Sequence, residues 1–221
     1  MPYDSLIFDL DGTLWDTCES CAVAWNAVLA QQGIPFRTIV ADDVRRVTGR
    51  PHAECIRAVF QGLPEPQVDV LIRETMTADN AAIEELGGLL YPGVDAGLRS
   101  LAKRYSLFIV SNCQAGYIDV FLRWSKLGDV FKDTECWGNT GHSKGANTAS
   151  LIQRNHLRAP LLVGDTECDR QAARECGIPF VYAAYGFGQC AEPDFTIRSF
   201  PDLVDRLLPD RSDSGSPAAA G

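Results

Sequence analysis

Apolar residues fall along this chain in two rhythms, short unbroken runs and runs spaced by three and four positions, and the order of the two predicts the architecture. Ser5-Leu6-Ile7-Phe8 is an apolar run cut off at once by Asp9, Asp11 and Gly12, the pattern of a buried parallel strand that ends in a polar loop. From 16 to about 33 apolar residues recur at helical spacing, through Val23, Trp25, Ala27, Val28 and Leu29, and Gly33 supplies the stop. Helical patterning continues to about 88. It is punctuated at Thr48-Gly49-Arg50-Pro51 and Gly62-Leu63-Pro64-Glu65-Pro66, and no strand is expected between 16 and 88.

After Tyr91-Pro92-Gly93 strand and helix alternate. Helices are expected at 94–103, 115–126, 144–155 and 168–176, with strands at 107–110, 131–136, 161–163 and 180–183 between and after them. Such alternation predicts a parallel sheet with crossover helices. The expected fold class is therefore α/β. A Rossmann-like parallel sheet core is formed by 1–15 and 89–209, and an all-helical cap domain, 16–88, is inserted after the first strand. Residues 210–221, poor in large apolar side chains and rich in Ser, Ala and Gly, read as a disordered tail.

Composition narrows the function classes. Hydrophobic residues make up 46% and charged residues 22% of the 221, close to the globular average, so neither disorder nor a membrane body is expected. The apolar runs are strand-sized, far below the roughly 20 residues that span a bilayer. Residues 1–5 carry no basic cluster of a targeting signal, so the expected location is cytoplasmic. A formal charge of −9 without a lysine or arginine cluster argues against nucleic acid as a partner, and means that an anionic ligand needs a local cationic site. The eight cysteines are expected to be reduced, and Cys18 and Cys21, a C-x-x-C with no second pair at ligand spacing, to be two small side chains on one helix. The pattern is silent on oligomeric state.

Candidate chemistry starts at Phe8-Asp9-Leu10-Asp11-Gly12-Thr13-Leu14, where two carboxylates leave a buried strand at the edge at which such sheets place their ligands. Two like charges held together there require a cation or a shared proton. Asp-Leu-Asp-Gly-Thr-Leu resembles the first motif of the haloacid dehalogenase superfamily, in its phosphoglycolate phosphatase and β-phosphoglucomutase-like branch with a helical cap. Three further segments resemble its other motifs in order: Ser111-Asn112 after a strand, Lys144 at the opening of a helix, and Gly164-Asp165-Thr166-Glu167-Cys168-Asp169 after another strand. The spacing of Asp165 and Asp169 suits one helical face.

The resemblance implies a phosphatase acting on a small phosphorylated metabolite. Asp9 would be the nucleophile and Asp11 the acid and base. Ser111, Asn112 and Lys144 would hold the phosphoryl group, and Mg2+ would sit on Asp9, the main-chain carbonyl of Asp11 and Asp165. Asp169 would orient Lys144 or a metal-bound water. Arg50, in a loop where the resemblance places a substrate-facing part of the cap, is the candidate for an anionic group on the leaving alcohol. Trp15, Trp25 and Trp124 are expected to be packing residues. Related activities fit less well: a Schiff-base hydrolase needs a cap lysine, and none precedes Lys103; metal-free dehalogenases lack the second carboxylate, here Asp11. A β-phosphoglucomutase-type mutase is the nearest alternative, although the histidine that begins its cap would fall at Cys21. A non-catalytic phosphometabolite-binding protein is the other, and it would have no need of the paired carboxylates.

Overall fold

The computed structural model describes residues 3–209, so the expected tail lies outside the described residues. The chain opens with β1 (Ser5–Phe8), buried at every residue, passes a short strand β2 (Trp15–Asp16), and enters four helices: α1 (Cys18–Gln31), α2 (Ala41–Arg45), α3 (His52–Val59) and α4 (Glu65–Leu86). It returns through β3 (Leu89–Leu90), antiparallel to β2 with Trp15 opposite Leu90, so the way into the helical insertion and the way out run side by side. Then follow α5 (Val94–Leu101), β4 (Ser106–Ser111), α6 (Tyr117–Ser125), β5 (Phe131–Cys136), α7 (Trp137–Thr140), α8 (Lys144–Arg154), β6 (Pro160–Gly164), α9 (Glu167–Cys176), β7 (Phe180–Ala183), β8 (Phe195–Ile197) and α10 (Phe200–Leu207).

Six of the strands form one sheet in the order β5-β4-β1-β6-β7-β8, and every neighbouring pair is parallel. The centre of that sheet is apolar because both of its faces are covered. Ile7, Phe108 and Val110 pack with Leu151 of α8, whereas Leu6 and Phe8 point to the other side, where Phe8 lies 5.9 Å from Phe200 of α10. The connections leave β1 first toward β4 and β5, then cross back to β6. The carboxyl end of β1 therefore stands at a switch point of the winding, where the strand edges open a crevice.

The insertion has an apolar interior of its own, continuous with that of the core. Trp25 and Phe36 both meet the fully buried ring of Phe60, with centroids 5.9 and 5.0 Å away, and burial of each such ring contributes roughly 1.5–3 kcal/mol. α4 begins with Pro66 in its first turn, where the missing N–H costs nothing. Among the described residues no helix is long and apolar enough to cross a membrane.

Each expected strand and helix is present within a few residues of its expected bounds. The chain adds elements that the pattern does not announce. The pair β2 and β3 is only two residues long on each side, α7 is a single turn, and β8 is an edge strand with Phe195 exposed, so its apolar face is too short to read. α10 starts on Ser199, whose hydroxyl accepts from the amide of Asp202. None of the eight cysteines forms a disulfide, and Cys18 and Cys21 are both buried on α1.

Candidate active site

Three of the expected carboxylates and one lysine meet at the carboxyl edge of the sheet. Asp9 directly follows β1, Lys144 is the first residue of α8, Asp165 follows β6, and Asp169 lies in the first turn of α9. All four are buried, and one ligand atom from each of Asp9, Asp165 and Asp169 lies within 4.8 Å of the others. Lys144 Nζ donates to Asp9 Oδ1 at 2.5 Å and to Asp169 Oδ1 at 2.6 Å. The other oxygen of Asp169 accepts from the amide and hydroxyl of Thr166, which caps α9 in turn. Asp169 thus has both oxygens committed, one of them to holding Lys144.

The helical-face reading of Asp165 and Asp169 needs correction. Asp165 stands before the N-cap Thr166 and so outside the helix, and its carboxylate reaches a loop after β7. There its Oδ2 accepts from the amides of Phe187 and Gly188, at 2.7 and 3.2 Å, while Thr13 donates to Oδ1 at 3.4 Å. Gly12 makes this approach possible. Its φ is +84°, and a Cβ placed on it would stand 2.3 Å from Asp165 Oδ2, so both the conformation and the space admit only glycine.

Crowding sets the electrostatics. Burial and then the charge of Asp169 push Asp9 well above the usual carboxylate range, with Lys144 acting against them. Asp165 is raised by burial and again by Asp169. Burial alone would depress Lys144, but the carboxylates of Asp169 and Asp9 outweigh it and hold the ammonium firmly charged. Asp11, half-buried above the cluster, is pushed up to about 7 by burial against the opposing hydrogen bond from Tyr117. One lysine does not balance this many carboxylates, and a hard divalent cation would. The donor set fits one: Asp9 has an oxygen that is buried with no hydrogen-bond partner, and this residue forms an all-carboxylate group with Asp165 and Asp169.

A cleft above the cluster is lined by Asp9, Asp11, Arg50, Asp79, Ser111 and Asn112, among others. Ser111, the last residue of β4, accepts the amide of Cys113 on its hydroxyl oxygen at 3.2 Å, which leaves its proton for a ligand. Asn112 donates its side-chain amide to Gly49 O at 2.8 Å and to Cys168 Sγ at 3.3 Å, so it ties the insertion to the core. Arg50 is exposed on the loop beside Gly49. Trp15 and Trp25 are buried as expected; Trp25 also borders the cleft and donates Nε1 to Asp79 at 2.9 Å, while Trp124 is 38% exposed and packs against Trp15.

Several polar residues of this region carry no motif. Tyr117, Thr17, His52 and Asp79 all line the cleft and are buried. Arg45 of α2 donates to Asp16 at 3.0 Å and stacks on Phe187, the residue whose amide holds Asp165.

Comparison with known proteins agrees with the geometry. The family described as haloacid dehalogenase-like hydrolase matches residues 6–183. Among curated relatives, a phosphoglycolate phosphatase of Vibrio vulnificus (strain YJ016) is 29% identical over 220 residues, covering 92% of this chain and 95% of its own. One of Pseudomonas syringae pv. syringae is 30% identical over 195 residues, covering 82% and 70%. In fold, a haloacid dehalogenase-like family hydrolase from Streptococcus pneumoniae superimposes with a TM-score of 0.81 at 21% identity, over 93% of this chain and 99% of that one. With the match running from the first strand to the seventh, through the insertion and all four clustered carboxyl and amino groups, the chain belongs to the haloacid dehalogenase-like hydrolase family.

Proposed function

We propose that the chain is a magnesium-dependent phosphatase that hydrolyses a small phosphorylated metabolite, phosphoglycolate or a similar small acid, through an aspartyl-phosphate on Asp9. The observation that carries this reading is the state of the Asp9 carboxylate: Lys144 fixes it through Oδ1 while Oδ2 is buried with no hydrogen-bond partner, so the group is oriented without being fully committed. A phosphoester dianion repels such a nucleophile, so the site must first neutralise it. Lys144 supplies one positive charge, and the Ser111 hydroxyl a hydrogen bond to a phosphoryl oxygen. Magnesium, held by Asp9, Asp165 and the main-chain carbonyl of Asp11, would supply the remaining positive charge against the phosphoryl oxygens. Asp11 then gives its proton to the departing oxygen and afterwards takes one from the water that attacks the acyl phosphate.

In this reading the helical insertion, 16–88, is a cap that covers the bound ester, excludes water and presents Arg50 to an anionic group on the leaving alcohol. Cys21 favours hydrolysis over phosphosugar isomerisation. Its thiol is pushed well above its ordinary value by burial and then by the charges of Asp79 and Asp11, so it does not shuttle protons at neutral pH. The relatives named above as phosphoglycolate phosphatases support the substrate class. A small cytoplasmic metabolite is the partner that the acidic, cluster-free surface suits, rather than a nucleic acid or a membrane.

The test is release of inorganic phosphate from 2-phosphoglycolate and p-nitrophenyl phosphate by the purified protein. Activity should require magnesium, disappear in EDTA, and fall by at least about a thousandfold in Asp9→Asn. Wild-type turnover by Asp9→Asn would end the proposal, and conversion of a hexose phosphate to its isomer without phosphate release would favour the mutase.

A further inference from the structure

Asp11 is expected to move protons, yet it lines the cleft from a loop, where a free carboxylate would sample several rotamers. What fixes it comes from far along the chain. The Tyr117 hydroxyl, on the first turn of α6, donates to Asp11 Oδ1 at 2.6 Å. Because its one proton is spent there, the 2.7 Å contact between Tyr117 and the Thr17 hydroxyl is a donation by Thr17, whose other contact as a donor, to Asp11 Oδ1, is longer at 3.4 Å, and Cys21 Sγ in turn donates to Thr17 at 3.8 Å. Tyr117 and Thr17 are 4% and 5% exposed, and the Tyr117 ring is braced edge-on by the fully buried Trp15, centroids 5.7 Å apart. No hydrogen bond is made by Asp11 Oδ2 among the described residues.

We propose that Tyr117, oriented by Thr17, is the positioning residue of the leaving-group acid: it anchors one oxygen of Asp11 and so directs the other at the departing oxygen of the substrate. The inference rests on the phosphatase reading of Asp11 given above. It also gives Thr17 a particular place. Thr17 stands between β2 and the first residue of α1, where the chain passes from the core into the cap, while Tyr117 belongs to the core. Cap and core therefore meet in the contact that orients Tyr117, while the bond from Tyr117 to the acid lies within the core.

An acid matters for a poor leaving group and hardly at all for an activated one, which separates positioning from general damage. Tyr117→Phe, which removes a single oxygen, should lose about ten- to a hundredfold in kcat on an alkyl phosphate such as 2-phosphoglycolate, with KM within about twofold, because a misaimed acid costs orders of magnitude. On p-nitrophenyl phosphate the same variant should lose less than about threefold. Thr17→Val should show the same selectivity in smaller measure, and Thr17→Ser, which restores the hydroxyl, should recover most of the lost rate. This second series serves if Tyr117→Phe fails to fold. Asp11→Asn, measured alongside, should show the full selective loss. If it does, equal losses on both esters, or none, in Tyr117→Phe and Thr17→Val overturn the role of Tyr117 while the reading of Asp11 survives. If Asp11→Asn keeps its rate on both esters, the phosphatase reading of Asp11 falls and the proposal with it.

Discussion

Lys144 lies between two carboxylates in a place that water does not reach, and its ammonium is their shared counter-charge. Breaking a buried pair by removing one partner strands the other, which costs more than the pair itself is worth. Lys144→Met, close in volume, should therefore lose about 3–5 kcal/mol of stability near neutral pH in the absence of metal, measured by urea unfolding in EDTA. The pH dependence follows from Asp9, whose pKa in the folded protein is raised by burial and by Asp169 and restrained by Lys144. A raised carboxyl favours the folded state at low pH and loses that contribution as pH rises through its folded value. Without Lys144 the rise is larger, so the deficit of the variant should shrink from pH 7.5 to pH 5.5; a deficit of constant size would show that Asp9 keeps its charge unaided. These residues were legible because each follows a strand or opens a helix, so a few neighbours mark it. The contact between Tyr117 and Asp11 joins positions 106 apart, and no local spacing announces it.

At the scale of elements, the loop after β1 and the loop after β7 converge on Asp165 Oδ2, through Gly12 and the amides of Phe187 and Gly188. Gly12→Ala should disturb this convergence doubly. It forces a side chain into a left-handed conformation, at a cost of roughly 1–2 kcal/mol, and drives a methyl group into the Asp165 carboxylate. Thermal unfolding should show the loss, and titration calorimetry with magnesium should show weakened binding, because the displaced carboxylate is one of the proposed ligands. Unchanged magnesium affinity would mean that Asp165 is not among them. The strands that carry the site were readable as apolar runs since both faces of the sheet are covered, as at β4 and β6. β8 was not, because an edge strand with exposed Phe195 and Thr196 has only Ile197 to bury. The pair β2 and β3 escaped for a different reason: its strands are two residues long and are defined only by their pairing.

On the scale of the whole molecule the insertion is joined to the core by polar contacts that the pattern of apolar residues does not encode, such as Asn112 to Gly49, Gln114 to Asn80 and Asn80 to Ala115. Behind them, inside the insertion, lies a buried polar cluster whose protons can be assigned. Thr75 donates to Leu71 O at 2.6 Å, so it accepts from His52 Nε2 at 2.8 Å. A neutral His52 then turns an unprotonated Nδ1 toward Asp79 Oδ2, 3.5 Å away, and a protonated Asp79 can donate to it while its other oxygen accepts from Trp25. The titrations agree: burial pushes His52 down to about 4, and burial pushes Asp79 up to about 8 against the Trp25 hydrogen bond and with the charge of Asp11. For Asp79 the sign is that of a raised group, with its contribution complete below the ordinary value of 3.8 and lost as pH rises through about 8. For His52 it is the reverse: the contribution is present above 6.5 and is lost as pH falls through about 4. Asp79→Asn keeps both hydrogen bonds and removes the titration. Its melting temperature relative to wild type should therefore rise steadily from pH 5.5 to pH 8, as the wild-type protein alone loses the contribution of a protonated Asp79. Parallel curves over that range would mean instead that Asp79 is ionised throughout and that His52 carries the charge that balances it.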